Sequence, residues 1–132
     1  MPEAFALPVT SVLTAALILL LVVLSLAVTA RRAVLGGIQF GDAGDAELRH
    51  RIRAHGNFIE IAPIVIVAIG LMELTGASSS LLWALAGTFF LGRVLHALRM
   101  YLRTLWPGLI AIVTQHAICL IAGLWLLDHF LS

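Results

Sequence analysis

The feature that most constrains this chain is a series of four apolar stretches, each long enough to cross a lipid bilayer as a helix. A crossing helix needs about 20 mostly apolar residues. The stretches run from about Leu7 to Ala30, Phe58 to Thr75, Leu81 to Leu98 and Gly108 to Leu127. The sequence therefore predicts an all-α membrane protein, with one domain over residues 1–132 that folds as a four-transmembrane-helix bundle.

Composition excludes the main soluble classes of protein. Hydrophobic residues make up 61% of the chain and charged residues only 11%, whereas soluble domains are about 25% charged. No basic stripe with interleaved aromatic residues is present, so nucleic acid is not expected as a partner. The single cysteine, Cys119, excludes an internal disulfide bond.

The arginines are confined to one side of the predicted bundle. The link between the first two spans and the end of the third span hold all eight basic residues: Arg31, Arg32, Arg49, Arg51, Arg53, Arg93, Arg99 and Arg103. The other side carries only Glu3, Glu73 and Asp128 as charges. The positive-inside rule then predicts a multi-pass protein with the arginine side in the cytoplasm and both termini on the non-cytoplasmic side. The first span is too long for a signal-peptide core and is expected to be retained.

Polar residues inside the apolar spans are the candidates for function, because an ionisable group in the bilayer normally faces the bundle interior with a partner. If the second helix begins near Asp45, one face carries residues at steps of four, four and three: Arg49, Arg53, Asn57 and Glu60. The third span repeats the pattern at steps of three, four and three: Arg93, His96, Met100 and Arg103. Antiparallel neighbours can turn these faces together, so Glu60 and Arg93 are expected to pair.

Two interpretations of this cluster are open. In the first, Glu60 and Arg93 simply hold two helices together. In the second, the excess of arginine binds a small anion, since guanidinium groups bind carboxylate and phosphate in bidentate fashion. The carboxylate of Glu60 would then hold an ammonium group of the same ligand.

The second span resembles the signature of the MAPEG family, the membrane-associated proteins in eicosanoid and glutathione metabolism. The segment from Arg53 to Pro63 has Asn four residues after Arg, Glu three further on and Pro three further still. The stretches Ala30–Ala33 and Arg93–His96 resemble the family as well. The likeness extends over the whole chain in length, number of spans and loop pattern.

Membership would imply a homotrimer that holds glutathione between subunits near the cytoplasmic face. By this resemblance Arg31 and Arg53 would bind carboxylates and Asn57 the peptide. Glu60 would bind the γ-glutamyl ammonium group, pair with Arg93, or do both, and His96 would contact the ligand. Arg49, on the same face as Arg53, completes the predicted binding set.

The chemistry implied by the resemblance is activation of the glutathione thiol as a co-substrate. A nearby arginine lowers the pKa of a thiol below its usual value of about 8.5. Family enzymes carry that arginine near the start of the fourth span, but residues 106–112 contain no basic residue here. Arg103 and Arg99 are the nearest candidates for the catalytic role.

The predicted function is therefore a membrane-bound glutathione-dependent transferase or peroxidase acting on lipophilic small molecules. The alternative is a glutathione- or lipid-binding protein without catalysis. A proton-coupled exporter using Glu60 is disfavoured, because neighbouring arginines would keep that carboxylate ionised. His50 and His55 are five residues apart, so no metal site is predicted, and Gln115 and His116 are expected to form helix-to-helix hydrogen bonds.

Overall fold

The computed structural model describes residues 6–102 and 104–132 as four long helices. These are α1 (Pro8–Val34), α2 (Ala46–Leu74), α3 (Ser79–Leu102) and α4 (Trp106–Leu131). All four are long and apolar enough to cross a membrane. The prediction of a four-helix transmembrane bundle is confirmed, and α2 begins next to Asp45 as the spacing of its polar residues required.

The α2–α3 hairpin forms the middle of the bundle. Both α1 and α4 pack against it, and in the described residues α1 and α4 do not contact each other. Because successive helices are joined by short links, they alternate in direction. The end of the bundle where α1 and α3 finish and α2 and α4 begin is called the arginine-rich end below.

Packing inside the bundle depends on a narrow set of buried side chains. The largest that are almost fully buried are Phe89, Leu17, Leu48, Ile69, Met72 and Val9. Small residues such as Ala62, Ala86, Ala111 and Ala122 lie between them and let the helices approach closely. The outer faces of α1 and α4 are apolar and exposed, as expected for surfaces in contact with lipid.

The loop between α1 and α2 is irregular, as its glycines indicate. After α1 ends, the N–H of Gly37 donates to the carbonyl of Arg32 at 2.9 Å, which closes the last turn. Gly36 and Gly37 take φ values of 88° and 79°, a left-handed conformation that residues with a side chain rarely adopt.

Helix α2 is longer than the membrane is thick. Its 29 residues span about 44 Å at 1.5 Å per residue, against about 30 Å for the hydrocarbon core. The surplus lies at the arginine-rich end, where the carboxylate of Asp45 caps the helix by accepting from the N–H of Leu48 at 2.7 Å. This extension places the charged first half of α2 beside the ends of α1 and α3.

Glu73 closes the opposite end of the bundle. Its two carboxylate oxygens accept from the backbone N–H groups of Val9 and Thr10, each at 2.9 Å, and from the Thr10 hydroxyl at 2.6 Å. The first N–H groups of a helix have no partner within the helix and carry partial positive charge, so a carboxylate there is stabilising. A residue that sequence analysis assigned only to the charge count thus fixes the start of α1 against the end of α2.

Glu73→Ala is expected to destabilise the bundle by about 1–2 kcal/mol, because it leaves two backbone donors of α1 without their charged acceptor. The free energy of unfolding can be measured by SDS titration in mixed micelles. Asp128→Ala is the control, since this carboxylate lies exposed at the same end. Equal losses in the two variants would contradict the assignment of Glu73 as the cap of α1.

Candidate functional site

A buried guanidinium lies at the centre of the polar cluster. Arg93 on α3 is only 2% exposed. Its Nη1 donates to Oδ1 of Asn57 on α2 at 2.6 Å, and its Nη2 donates to Oε1 of Gln115 on α4. The guanidinium carbon also lies 5.4 Å from the centre of the Phe89 ring, within the range of a cation–π interaction. One side chain therefore connects three of the four helices.

Gln115 was expected to bond across helices, and this prediction is confirmed. Its neighbour His116 differs, since its exposed ring bonds instead to the carbonyl of Ile112 in its own helix at 2.7 Å. The two side chains are one residue, about 100°, apart on α4, so only one of them faces the bundle. The sequence gives no means of choosing which one.

The expected pairing of Glu60 with Arg93 is wrong within the subunit. Arg93 reaches Asn57, one turn earlier on α2, and its other amino group points towards α4. Glu60 lies three residues beyond Asn57, which rotates it by about 60° and raises it about 4.5 Å along the helix. It is therefore exposed on the outer side of α2, while neutral amide oxygens accept from the two amino groups of the arginine.

An outward-facing groove of about 240 Å³ lies along this part of α2. It is lined by Ile52, Arg53, Gly56, Asn57 and Glu60. Arg53 and Glu60 are both exposed there, so a cation and a carboxylate face the same space. Asn57 belongs both to this groove and to the Arg93 network, so it connects the groove to the bundle interior.

The buried ring of His96 lies in a region influenced by the charges of several arginines. His96 is 5% exposed, and it lies within electrostatic reach of Arg93, Arg99 and Arg53. Arg53 of α2 and Arg93 and Arg99 of α3 therefore contribute to one positively charged region around His96. The side chain of Arg99 crosses from α3 to the start of α4, where its Nε and Nη1 lie 2.5 and 2.7 Å from the position that a Cβ on Gly108 would occupy.

Arg31 and Arg49 lie in a different cluster, at the loop between α1 and α2. Arg31 binds the carboxylate of Asp45 at 2.7 Å and that of Glu47 at 3.2 Å. Arg49 binds the carboxylate of Asp42 at 2.5 Å. Acidic residues of the loop and of the start of α2 thus neutralise both arginines, and their guanidinium groups stabilise the fold of this region.

These ion pairs affect the acids of the loop. The hydrogen bond from Arg31, together with that from the Leu48 N–H, lowers the pKa of Asp45 to about 2. The hydrogen bond from Arg49, followed by that from the Gly44 N–H, lowers the pKa of Asp42 as well. Both carboxylates therefore stay ionised, and the pairs persist, across the physiological range of pH.

Comparison with known proteins identifies the family. The MAPEG family model matches residues 9–127, which is nearly the whole chain. The chain belongs to the MAPEG family. Over 59 residues it is 37% identical to the inner membrane protein YecN of Escherichia coli strain K12, and equally to YecN of Escherichia coli O6:H1 strain CFT073. Each match covers 45% of this chain and 45% of the relative, so the chain spans about half the length of the curated relatives it matches. No solved structure matches.

Of the residues that the MAPEG resemblance singled out, one falls outside the structural description. Arg103 lies between the two described ranges. The structure brings together Arg53, Asn57, Glu60, Arg93, His96 and Arg99, and it places Arg31 and Arg49 in the separate loop cluster.

Arg51 is a structural residue that sequence analysis passed over. It donates to the carbonyl of Ala27 in α1 at 2.8 Å, pairs with Glu47, and lies 6.0 Å from the centre of the Tyr101 ring on α3. The only signal in the sequence was that Arg51 lies off the face that carries Arg49 and Arg53. In this MAPEG chain that opposite face of α2 points towards α1 and α3.

Gln115→Leu is expected to cost about 1–3 kcal/mol in the free energy of unfolding, because it leaves a buried charged donor without its acceptor. His116→Leu is the matched control, and a change within about 0.5 kcal/mol is expected there, since this exposed ring bonds only within its helix. Unfolding in SDS-containing mixed micelles measures both. A harmless Gln115→Leu variant would show that Arg93 does not depend on α4.

Asp45→Asn is expected to remove a pH-dependent part of the stability. The folded-state pKa is depressed, so the ionised carboxylate stabilises the fold fully above the ordinary value of 3.8 and less as the pH falls towards about 2. The difference in Tm between the wild type and Asp45→Asn should therefore be constant from pH 7 to 5 and shrink below pH 4. A difference that stays constant down to pH 3 would rule out the Arg31–Asp45 pair as its source.

Proposed function

We propose that this protein binds glutathione in the groove along α2 and activates its thiol for attack on lipophilic electrophiles. The observation that carries the proposal is the groove itself, in which Arg53, Asn57 and Glu60 face the same space. Glutathione offers complementary groups: two carboxylates for guanidinium, one ammonium for a carboxylate, and peptide groups for an amide side chain. Family membership supports the same ligand class.

The exposure of the groove supports an assembly. Glu60 lies in the α2 span and is exposed on its outer face. A charge facing lipid costs at least about 2.5–3.5 kcal/mol on insertion scales. A second copy of the chain packed on this face would cover the groove and remove that cost. We therefore include a homotrimer in the proposal, with its sites between subunits near the cytoplasmic face and its termini on the other side.

The chemical step needs a cation near the sulfur. In the proposed reaction the thiol releases its proton to solvent, and Arg99 or Arg103 stabilises the thiolate that remains. The thiolate then forms a carbon–sulfur bond with the electrophile, and the leaving group departs with the electron pair of the bond that breaks. An electrophile dissolved in the membrane reaches this site from the lipid, which accounts for the position of such an enzyme in a bilayer.

A second function has one observation in its favour. The first residues of α4, Trp106 to Ile112, carry no basic side chain of their own, and a chain that binds glutathione or a lipid without reacting would need none. The related YecN proteins are described only as inner membrane proteins, so they favour neither function.

Titration with reduced glutathione tests the proposal. Arg53→Ala and Glu60→Ala are each expected to weaken binding at least about tenfold, because each removes a charged partner worth about 1.4 kcal/mol or more. Binding can be followed by isothermal titration calorimetry of detergent-purified protein, and thiolate formation by ultraviolet absorbance. Arg32→Ala is the control, since it removes the same charge at the arginine-rich end. The side chain of Arg32 donates to the loop carbonyl of Ile38 and does not line the groove.

The outcomes separate the two functions. Binding with a thiolate signal supports the enzyme, and a screen of lipophilic electrophiles should follow. Binding without thiolate supports the non-catalytic alternative. Unchanged affinity in both Arg53→Ala and Glu60→Ala would eliminate the groove as the glutathione site.

A further inference from the structure

The contact between Arg99 and Gly108 is unusually close. Gly108 is buried at the start of α4, and the aliphatic and guanidinium atoms of Arg99 occupy the space where any other residue would place its Cβ. Real Cβ atoms do not approach other atoms within 3.0 Å, so Arg99 can lie there only because residue 108 has no side chain.

The displaced atoms belong to the flexible end of a long side chain. The three atoms that an added Cβ would meet first are Cδ, Nε and Nη1 of Arg99, all in one side chain. The side chain can move aside at small cost, while alanine favours the helix over glycine. A methyl group at position 108 should therefore shift the guanidinium and leave the bundle folded.

The position of Arg99 matters because its charge is available. In the described part of the chain no carboxylate lies within ion-pair distance of Arg99, whereas Arg31, Arg49 and Arg51 each bind one. Arg99 also lies within electrostatic reach of His96, as Arg53 of the groove does. A half-buried guanidinium with no carboxylate beside it is suited to an anion that arrives from outside the subunit.

We propose that Gly108 is a positioning residue. Because it has no side chain, it leaves space for the guanidinium of Arg99 at the start of α4, beside the sulfur of bound glutathione. This inference rests on the proposed function and adds to it a residue that acts without touching the ligand. The start of α4 thereby acquires a positive charge from α3, although its own sequence supplies none.

The consequence for the chemistry is limited to one equilibrium. The S–H bond of bound glutathione breaks, its proton passes to solvent, and the electron pair stays on sulfur next to the guanidinium. Moving the guanidinium away weakens this stabilisation of the thiolate. It does not alter the contacts of Arg53, Asn57 and Glu60 with the rest of the ligand.

The experiment compares Gly108→Ala, Arg99→Ala, the double variant and Gly123→Ala in detergent-purified full-length protein with reduced glutathione. Gly123 is the matched control, because it lies in the same helix and a Cβ there would meet nothing within 4 Å. The readouts are the Kd for glutathione, the pKa of the bound thiol from thiolate absorbance against pH, and the Tm.

In Gly108→Ala we expect the pKa of the bound thiol to rise by about one unit towards the free value, which is tenfold less thiolate at a fixed pH below it. The Kd should change less than about threefold and the Tm should not fall. Arg99→Ala should raise the thiol pKa at least as far, and the double variant no further, because both changes remove the same interaction. Gly123→Ala should match the wild type.

Each contrary result has a distinct meaning. If the wild type shows a thiolate signal and Gly108→Ala leaves it unchanged, this inference alone is overturned. The same holds if Gly108→Ala raises the thiol pKa further in the Arg99→Ala background. Absence of glutathione binding or thiolate in the wild type overturns the inference together with the proposed enzyme. If Gly108→Ala lowers the Tm, recovery of the Tm in the double variant still supports the proposal that Gly108 leaves space for Arg99. Failure of the Tm to recover overturns it.

Discussion

The arrangement of this bundle depends on the burial of one guanidinium. Arg93 cannot lose its charge inside the protein, and an unpaired charge there would be strongly destabilising. Its two amino groups take their acceptors from helices on either side of α3. Because α4 contacts only the α2–α3 hairpin among the described residues, this bond acts together with the buried apolar face of α4 to fix how the helix is rotated. The rotation turns Gln115 inward and brings Gly108 beneath Arg99.

The same network explains why the groove can be polar on its outer side. Asn57 bonds to Arg93 on the inside and lines the groove on the outside. Arg53 and Glu60, on the neighbouring turns, are left without partners in the interior and face outward. The charges at the loop behave differently, because Asp42, Asp45 and Glu47 already hold Arg31 and Arg49. The arginine-rich end is thus divided into a part that holds helices together and a part with charge still available.

Sequence reasoning predicted the spans, the start of α2 and the residues that cluster, because hydrophobic length and helical spacing are local properties. It was wrong about the partner of Arg93, because that choice depends on the rotation of α2 relative to α3, which spacing along one helix does not determine. It could not assign Arg31 and Arg49 to the loop acids, since their distances depend on the path of an irregular loop. The role of Gly108 was equally hidden, because a missing side chain has meaning only beside the atoms that fill its space.

Helix α1 has a consequence for how the chain is assembled. Carboxylates of α2 and of its capping residue hold it near both ends: Glu73 at its first turn and Asp45 with Glu47 at its last. These two contacts lie at opposite ends of the bundle, so sliding α1 along α2 would strain both at once. The two contacts therefore fix the register of α1 relative to α2. Because Glu73 lies in the last turn of α2, the contact that fixes the start of α1 forms only when α2 is in place along its whole length.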